Sequence, residues 1–67
     1  MLNRLNTYSF VVWDANSGDF MNALSYGVNE EIAEELFHLL YGDELKVIHK
    51  FLGDKPGITY RSLPYVK

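Results

Sequence analysis

The sequence predicts a small two-layer α+β domain of order ββαββ, an antiparallel sheet with one amphipathic helix, about residues 29-41, on one face. Three observations predict it. A β-branched and aromatic run is followed by turn chemistry and a second such run. A single segment carries the 3.6-residue apolar period of a helix. Two further short apolar runs follow, separated by a turn rich in Gly and Pro.

The first run, Thr7 to Asp14, is Thr-Tyr-Ser-Phe-Val-Val-Trp-Asp and reads as a strand. Asn16-Ser17-Gly18-Asp19 follows it. Gly18 can take the positive φ of a short hairpin loop, and Asn16 can bond the local backbone. Phe20 to Tyr26 returns as the second strand, weakened by the low β preference of Asn22-Ala23-Leu24.

The helix is the clearest element. Ile32, Leu36, Leu39 and Leu40 recur at i, i+4, i+7 and i+8 and are the expected buried stripe. Asn29 stands where an N-cap side chain accepts from free backbone N–H groups. Glu30, Glu31, Glu34 and Glu35 crowd the first half, where the helix dipole favours negative charge. Gly42 follows the last periodic residue and is the expected left-handed stop.

Leu45 to Leu52 is the expected third strand, with Leu45, Val47, His49 and Phe51 on one face and Lys46, Ile48 and Lys50 on a wet one. Gly53-Asp54-Lys55-Pro56-Gly57 is a turn. Ile58 to Leu63 is the expected fourth strand, ended by Pro64. In the first strand Tyr8, Phe10 and Val12 oppose Val11 and Trp13. In the second, Phe20, Leu24 and Tyr26 oppose Met21 and Ala23. One helix covers one face only. The other face must stay exposed, or be closed by the N-terminal arm (Leu2, Leu5) or a tail residue.

Length and composition bound the function. Sixty-seven residues make one domain, residues 1–67, with a thin core. There is no cysteine, so disulfides and thiolate metal sites are excluded. No run of about 18 apolar residues is present to span a membrane, and no leader pattern opens the chain. A cytoplasmic setting is expected. The net charge is −3. Residues 1–42 set Arg4 alone against Asp14, Asp19 and the four helix glutamates. Residues 43–67 carry Lys46, Lys50, Lys55, Arg61 and Lys67 against three carboxylates.

Catalytic and metal constellations are missing. Asp14 to Asp19 has the oxygen-rich look of a calcium loop, but Ser25 stands where the bidentate Glu belongs. His38 and His49 share no metal-ligand spacing with other donors. The serines lack a nucleophile elbow, and no glycine loop cradles phosphate. The expectation is a non-enzyme without a cofactor.

The expected function is a protein-binding module, of the kind found among phage and mobile-element accessory proteins that bind and inhibit a host protein. Its expected contacts are an apolar patch of Tyr8, Trp13, Met21, Tyr60 and Tyr65, since rigid aromatics give contact at low ordering cost. Glu30, Glu31, Glu34 and Glu35 are the acidic alternative, able to face a basic partner. A nucleic-acid surface of Lys46, Lys50, Lys55 and Arg61 with neighbouring aromatics is a second reading, opposed by the acidic total. A structural homodimer is a third, favoured by the thin core.

Overall fold

A computed structural model describes residues 4–66. β1 spans Asn6–Asp14, β2 Asp19–Gly27, α1 Glu30–Tyr41 and β3 Leu45–Leu52. A 3₁₀ turn covers Ile58–Tyr60. The strands form one antiparallel sheet of order β2-β1-β3, so the first strand is central. The small α+β architecture, with one helix against an antiparallel sheet, is as the sequence predicts.

β1 and β2 pair from Asn6↔Gly27 to Asp14↔Asp19. The hairpin closes where the Gly18 N–H donates to Asp14 O at 2.7 Å, with Gly18 at φ +74°. Asp14 Oδ1 accepts from the Asn16 N–H at 2.8 Å. The Asn16 side chain instead reaches away and donates to Glu44 at 2.8 Å, tying the hairpin tip to the turn before β3.

α1 starts and stops on its own sequence signals. Asn29 Oδ1 accepts from the Ile32 N–H at 2.9 Å. Gly42, at φ +81°, donates its N–H to His38 O at 2.8 Å, the left-handed stop that a side chain would strain. The buried helix residues are Ala33 and Phe37. Phe37 meets Phe10 of β1 edge to face, centroids 5.9 Å apart at 79°. Tyr8, Phe10, Val12, Ala23 and Leu45 complete this core from the sheet. The helix sits close on the end of β2. A Cβ on Gly27 would lie 2.6 Å from Ala33 N and 2.9 Å from Asn29 O, so only glycine fits. Ser25 Oγ, also buried, donates to Ala33 O at 2.7 Å.

Both faces of the sheet are covered along β1, while Phe20, Leu24 and Tyr26 of β2 stay exposed on the face away from the helix. Ser9, Phe10, Val11 and Val12 are all 0% exposed, although they alternate between faces. The second cover is the segment after β3, and it is not a strand. Residues 58–63 close their hydrogen bonds locally: the Tyr60 N–H donates to Gly57 O, Arg61 N–H to Ile58 O and Leu63 N–H to Tyr60 O. Pro56 and Pro64 flank this stretch and supply no amide to a ladder. The expected fourth strand is therefore replaced by a 3₁₀ turn lying across the sheet. Among the described residues after β3, only Tyr65 touches the sheet as a strand would, in a parallel bridge to Asn22.

Polar residues buried on that face anchor the segment. Asn22 Nδ2 donates to Tyr60 O at 2.7 Å and to Leu63 O at 3.3 Å. The Asn22 backbone donates to Pro64 O and accepts from the Val66 N–H, both at 2.8 Å. Ser9 Oγ donates to Gly53 O at 2.8 Å. Leu5 is exposed, so it takes no part in the cover, and Leu2 lies outside the described residues.

The expected facing of β3 is corrected by a bulge. Val11 pairs with His49 but Val12 pairs with Val47, which leaves Ile48 as the extra residue. The side-chain alternation resets there. Leu45 and Val47 face the helix together with Lys50, while His49 and Phe51 face the 3₁₀ turn.

Candidate functional site

The helix carries more apolar surface than the sheet takes up. At 3.6 residues per turn, Ala33 and Phe37 point to the sheet. Glu30 and Glu34 turn toward β3, where Lys50 Nζ lies 2.7 Å from Glu34 and 3.7 Å from Glu30. Ile32, Leu36 and Leu40 form a ridge at i, i+4, i+8 on the opposite flank, with Leu39 beside it. Leu39 is 83% exposed, Leu40 67% and Ile32 43%, while Leu36 is half-buried. Val28, just before the cap, is also exposed.

This corrects the expected buried stripe of Ile32, Leu36, Leu39 and Leu40. A helix against a sheet of three strands buries a narrow strip, and the ring of Phe37 fills the place opposite Phe10. The aliphatic stripe is turned aside. Its sequence signal was present, since Ala33 and Phe37 form a second i, i+4 pair on the same helix. Periodicity shows that two apolar stripes exist but not which one meets the core.

The carboxylates divide in the same way. Lys50 donates to Glu34, and that hydrogen bond holds the Glu34 carboxyl below the ordinary carboxylate range. The same bond raises Lys50 above the ordinary lysine value. Glu31 and Glu35 lie on the solvent side, next to Leu39 and Ile32, and have no ion-pair partner among the described residues. At the helix end a shallow cleft of about 460 Å³ is lined by Glu35, His38, Leu39 and Asp43. His38 bonds Gly42 O at 3.0 Å and stands 3.8 Å from Asp43.

The expected aromatic patch is not one surface. Tyr8, 7% exposed, belongs to the core under the helix, and Met21 packs on that core. Trp13 lies part-buried on the opposite face. Tyr60 is part of the cover, its ring 4.9 Å from that of His49 and 6.1 Å from that of Phe51. Tyr65 is exposed beyond β2. The basic set is scattered too. Lys50 is held by the helix glutamates, Lys46 pairs beside Trp13 on the other face, Lys55 is in the loop after β3, and Arg61 donates to Pro56 O at 3.0 Å.

A second cleft of about 310 Å³ lies at the edge of the 3₁₀ cover, lined by Phe20, Ile48, His49, Thr59, Tyr60 and Leu63. Tyr60 Oη and His49 Nε2 share a hydrogen bond of 2.9 Å at its wall. A base-and-hydroxyl pair of this kind needs an orienting third group and a place for charge to develop before it does chemistry. Among the described residues, no three His, Asp or Glu side chains converge as metal ligands, and no helix is long and apolar enough to cross a membrane. No family model, curated protein or solved structure matches the chain.

Proposed function

We propose that this chain is a small protein-binding module, without catalysis of its own, that docks a partner through the outward flank of α1. The observation that supports this reading is the apolar ridge of Ile32, Leu36 and Leu40 with Leu39, left open on a helix whose other side is fully engaged with the sheet. Scattered exposed apolar residues are ordinary on any surface. Three exposed residues at helical spacing, Ile32, Leu39 and Leu40, with half-buried Leu36 between them, make one apolar flank, and such patches mark interaction sites. A regular helix ridge also presents its side chains in fixed register, the form in which helix-in-groove recognition works.

The test is capture from a lysate of the source organism with the chain immobilised. Wild type should retain a protein that resists nuclease treatment, and the double substitution Leu39→Glu and Leu40→Glu should lose it. Lys46→Glu, on β3, should keep it. Capture unchanged by the ridge double variant would overturn the reading.

A further inference from the structure

Among the described residues the charges that run along the solvent side of the ridge are carboxylates, and that border selects its occupant. On the sheet side two helix carboxylates share one cation, because Lys50 bonds Glu34 and approaches Glu30. On the solvent side Glu31 and Glu35 run parallel to the apolar ridge without an ion-pair partner among the described residues. The cleft beside Leu39 continues this border, with Glu35, Asp43 and His38 on its walls, His38 3.8 Å from Asp43, and Leu39 as its apolar flank. Such a hollow suits a long cationic side chain, whose stem lies on Leu39 while its head meets carboxylates.

We propose that the ridge binds a basic amphipathic helix of a partner protein. Apolar residues at i, i+4 spacing would set against Ile32, Leu36 and Leu40, and lysines or arginines along one rim would meet Glu31, Glu35 and Asp43. This rests on the reading of the α1 flank as a docking surface. Packing of i, i+4 ridges into each other's grooves crosses two helices at about −50°. A second copy of this chain fits less well. A two-fold axis relating antiparallel helices brings identical rims together, so Glu31 and Glu35 would lie beside the same two carboxylates of the copy. Like charges across an interface oppose association, whereas a basic rim is drawn in and oriented.

The probe is a synthetic peptide of about 18 residues, long enough to form a helix, with leucines at i, i+3, i+4, i+7 spacing and lysines elsewhere. Two comparators are the same leucine pattern with glutamates and a scrambled leucine–lysine order. Amide chemical shifts of the ¹⁵N-labelled chain locate the contact, and titration gives the affinity. The leucine–lysine peptide should shift amides from Ile32 to Asp43 and bind about tenfold or more tighter than the glutamate peptide. Glu31→Lys with Glu35→Lys should reverse that preference while the helix stays folded by circular dichroism, with a slightly lower melt because Glu31 gives up a favourable place at the helix N-terminus. Leu39→Ser with Leu40→Ser should weaken both peptides. Equal binding of the lysine and glutamate peptides at the ridge would overturn the basic partner and leave the docking surface standing. Shifts that avoid the ridge would overturn both. Equal binding of the scrambled peptide would reduce the effect to unspecific charge and overturn the proposal. A concentration-dependent dimer that protects the ridge without peptide would also overturn it, by assigning the flank to a second copy.

Discussion

The two faces of this sheet are closed by different chemistry. Under α1 the closure is mainly apolar and regular: Phe37 on Phe10, Ala33 against the end of β2 with the buried hydroxyl of Ser25 bonded to Ala33 O, and ends capped by Asn29 and Gly42. Under residues 53–64 it is directional. Asn22, Ser9 and the Tyr60–His49 pair hold an irregular segment by hydrogen bonds to named backbone and side-chain atoms. A helix satisfies its own backbone and can be pressed onto a surface by area alone. A segment without regular structure must have its carbonyls met one by one where it is buried, so the sheet beneath it carries buried polar residues. The helix is therefore free to show a second apolar flank at regular spacing to solvent, while the apolar residues the irregular cover exposes, Ile58 and Tyr65, stand apart from one another in sequence without such a register.

Substitutions can break that contrast, beginning with the largest effect. Phe37→Ala removes the ring that joins α1 to β1 and should cost about 3–5 kcal/mol. A domain of this length holds roughly 3–10 kcal/mol in total, so a urea titration should find the variant largely unfolded. A small shift in midpoint would show that the helix is not the main closure.

Asn22→Ala strikes the other cover. Tyr60 O and Leu63 O lose their shared donor, and the expected cost is about 1–3 kcal/mol. Asn22 Oδ1 has no hydrogen-bond partner among the described residues, so truncation also removes an unsatisfied buried atom and should moderate the loss. Hydrogen exchange should report the change locally. The Leu63 and Val66 amides should lose protection while those of β1 and α1 keep theirs. Uniform loss across the chain would mean that the two covers are one cooperative unit.

Lys50→Met tests the polar edge of the helix face, at a cost of a few tenths to about 1 kcal/mol for a pair this exposed. The pH dependence has a definite sign. Glu34 is lowered by its Lys50 bond, so its contribution is complete above the ordinary glutamate value and fades as pH falls through the depressed one. Lys50 is raised, so its contribution is complete below the ordinary lysine value and is lost only as pH rises through the raised one. Thermal melts of wild type and variant should converge at acid pH and differ most near neutrality. A constant difference across the acid limb would remove the ion pair as the cause.

Leu39→Ser should leave stability within about 0.5 kcal/mol, since a residue this exposed loses little on truncation. A loss like that of a core leucine would show the flank to be packed in solution and therefore not open to a partner.

How much was legible varied with the range of the interactions involved. Asn29, Gly42 and the four glutamates marked the helix because capping and dipole effects act within one turn. The hairpin was legible from Gly18 and the flanking β-rich runs, for the same local reason. The period marks an apolar stripe on the helix but not the side it faces, since Ile32 and Leu39 look no different in sequence from Ala33 and Phe37 as candidates for burial. The bulge at Ile48 leaves no mark in the alternation of Leu45 to Leu52, and it alone moves Lys50 to the helix and His49 to the cover.

The sequence by itself determined the elements that close on near neighbours: two strands around a tight turn, one capped helix, and a third strand. It also set the acidic helix and the absence of disulfides. Tertiary structure decided what covers the second face, which stripe of α1 is buried, and which carboxylates stay without a cation. Those outcomes depend on which distant side chain arrives first-neighbour to another, as Asn22 does to Tyr60 and Phe37 to Phe10. Local propensity carries no information about such pairs. They follow from the fit of whole surfaces, in which one aromatic ring opposite another outweighs four aliphatic residues at an ideal period.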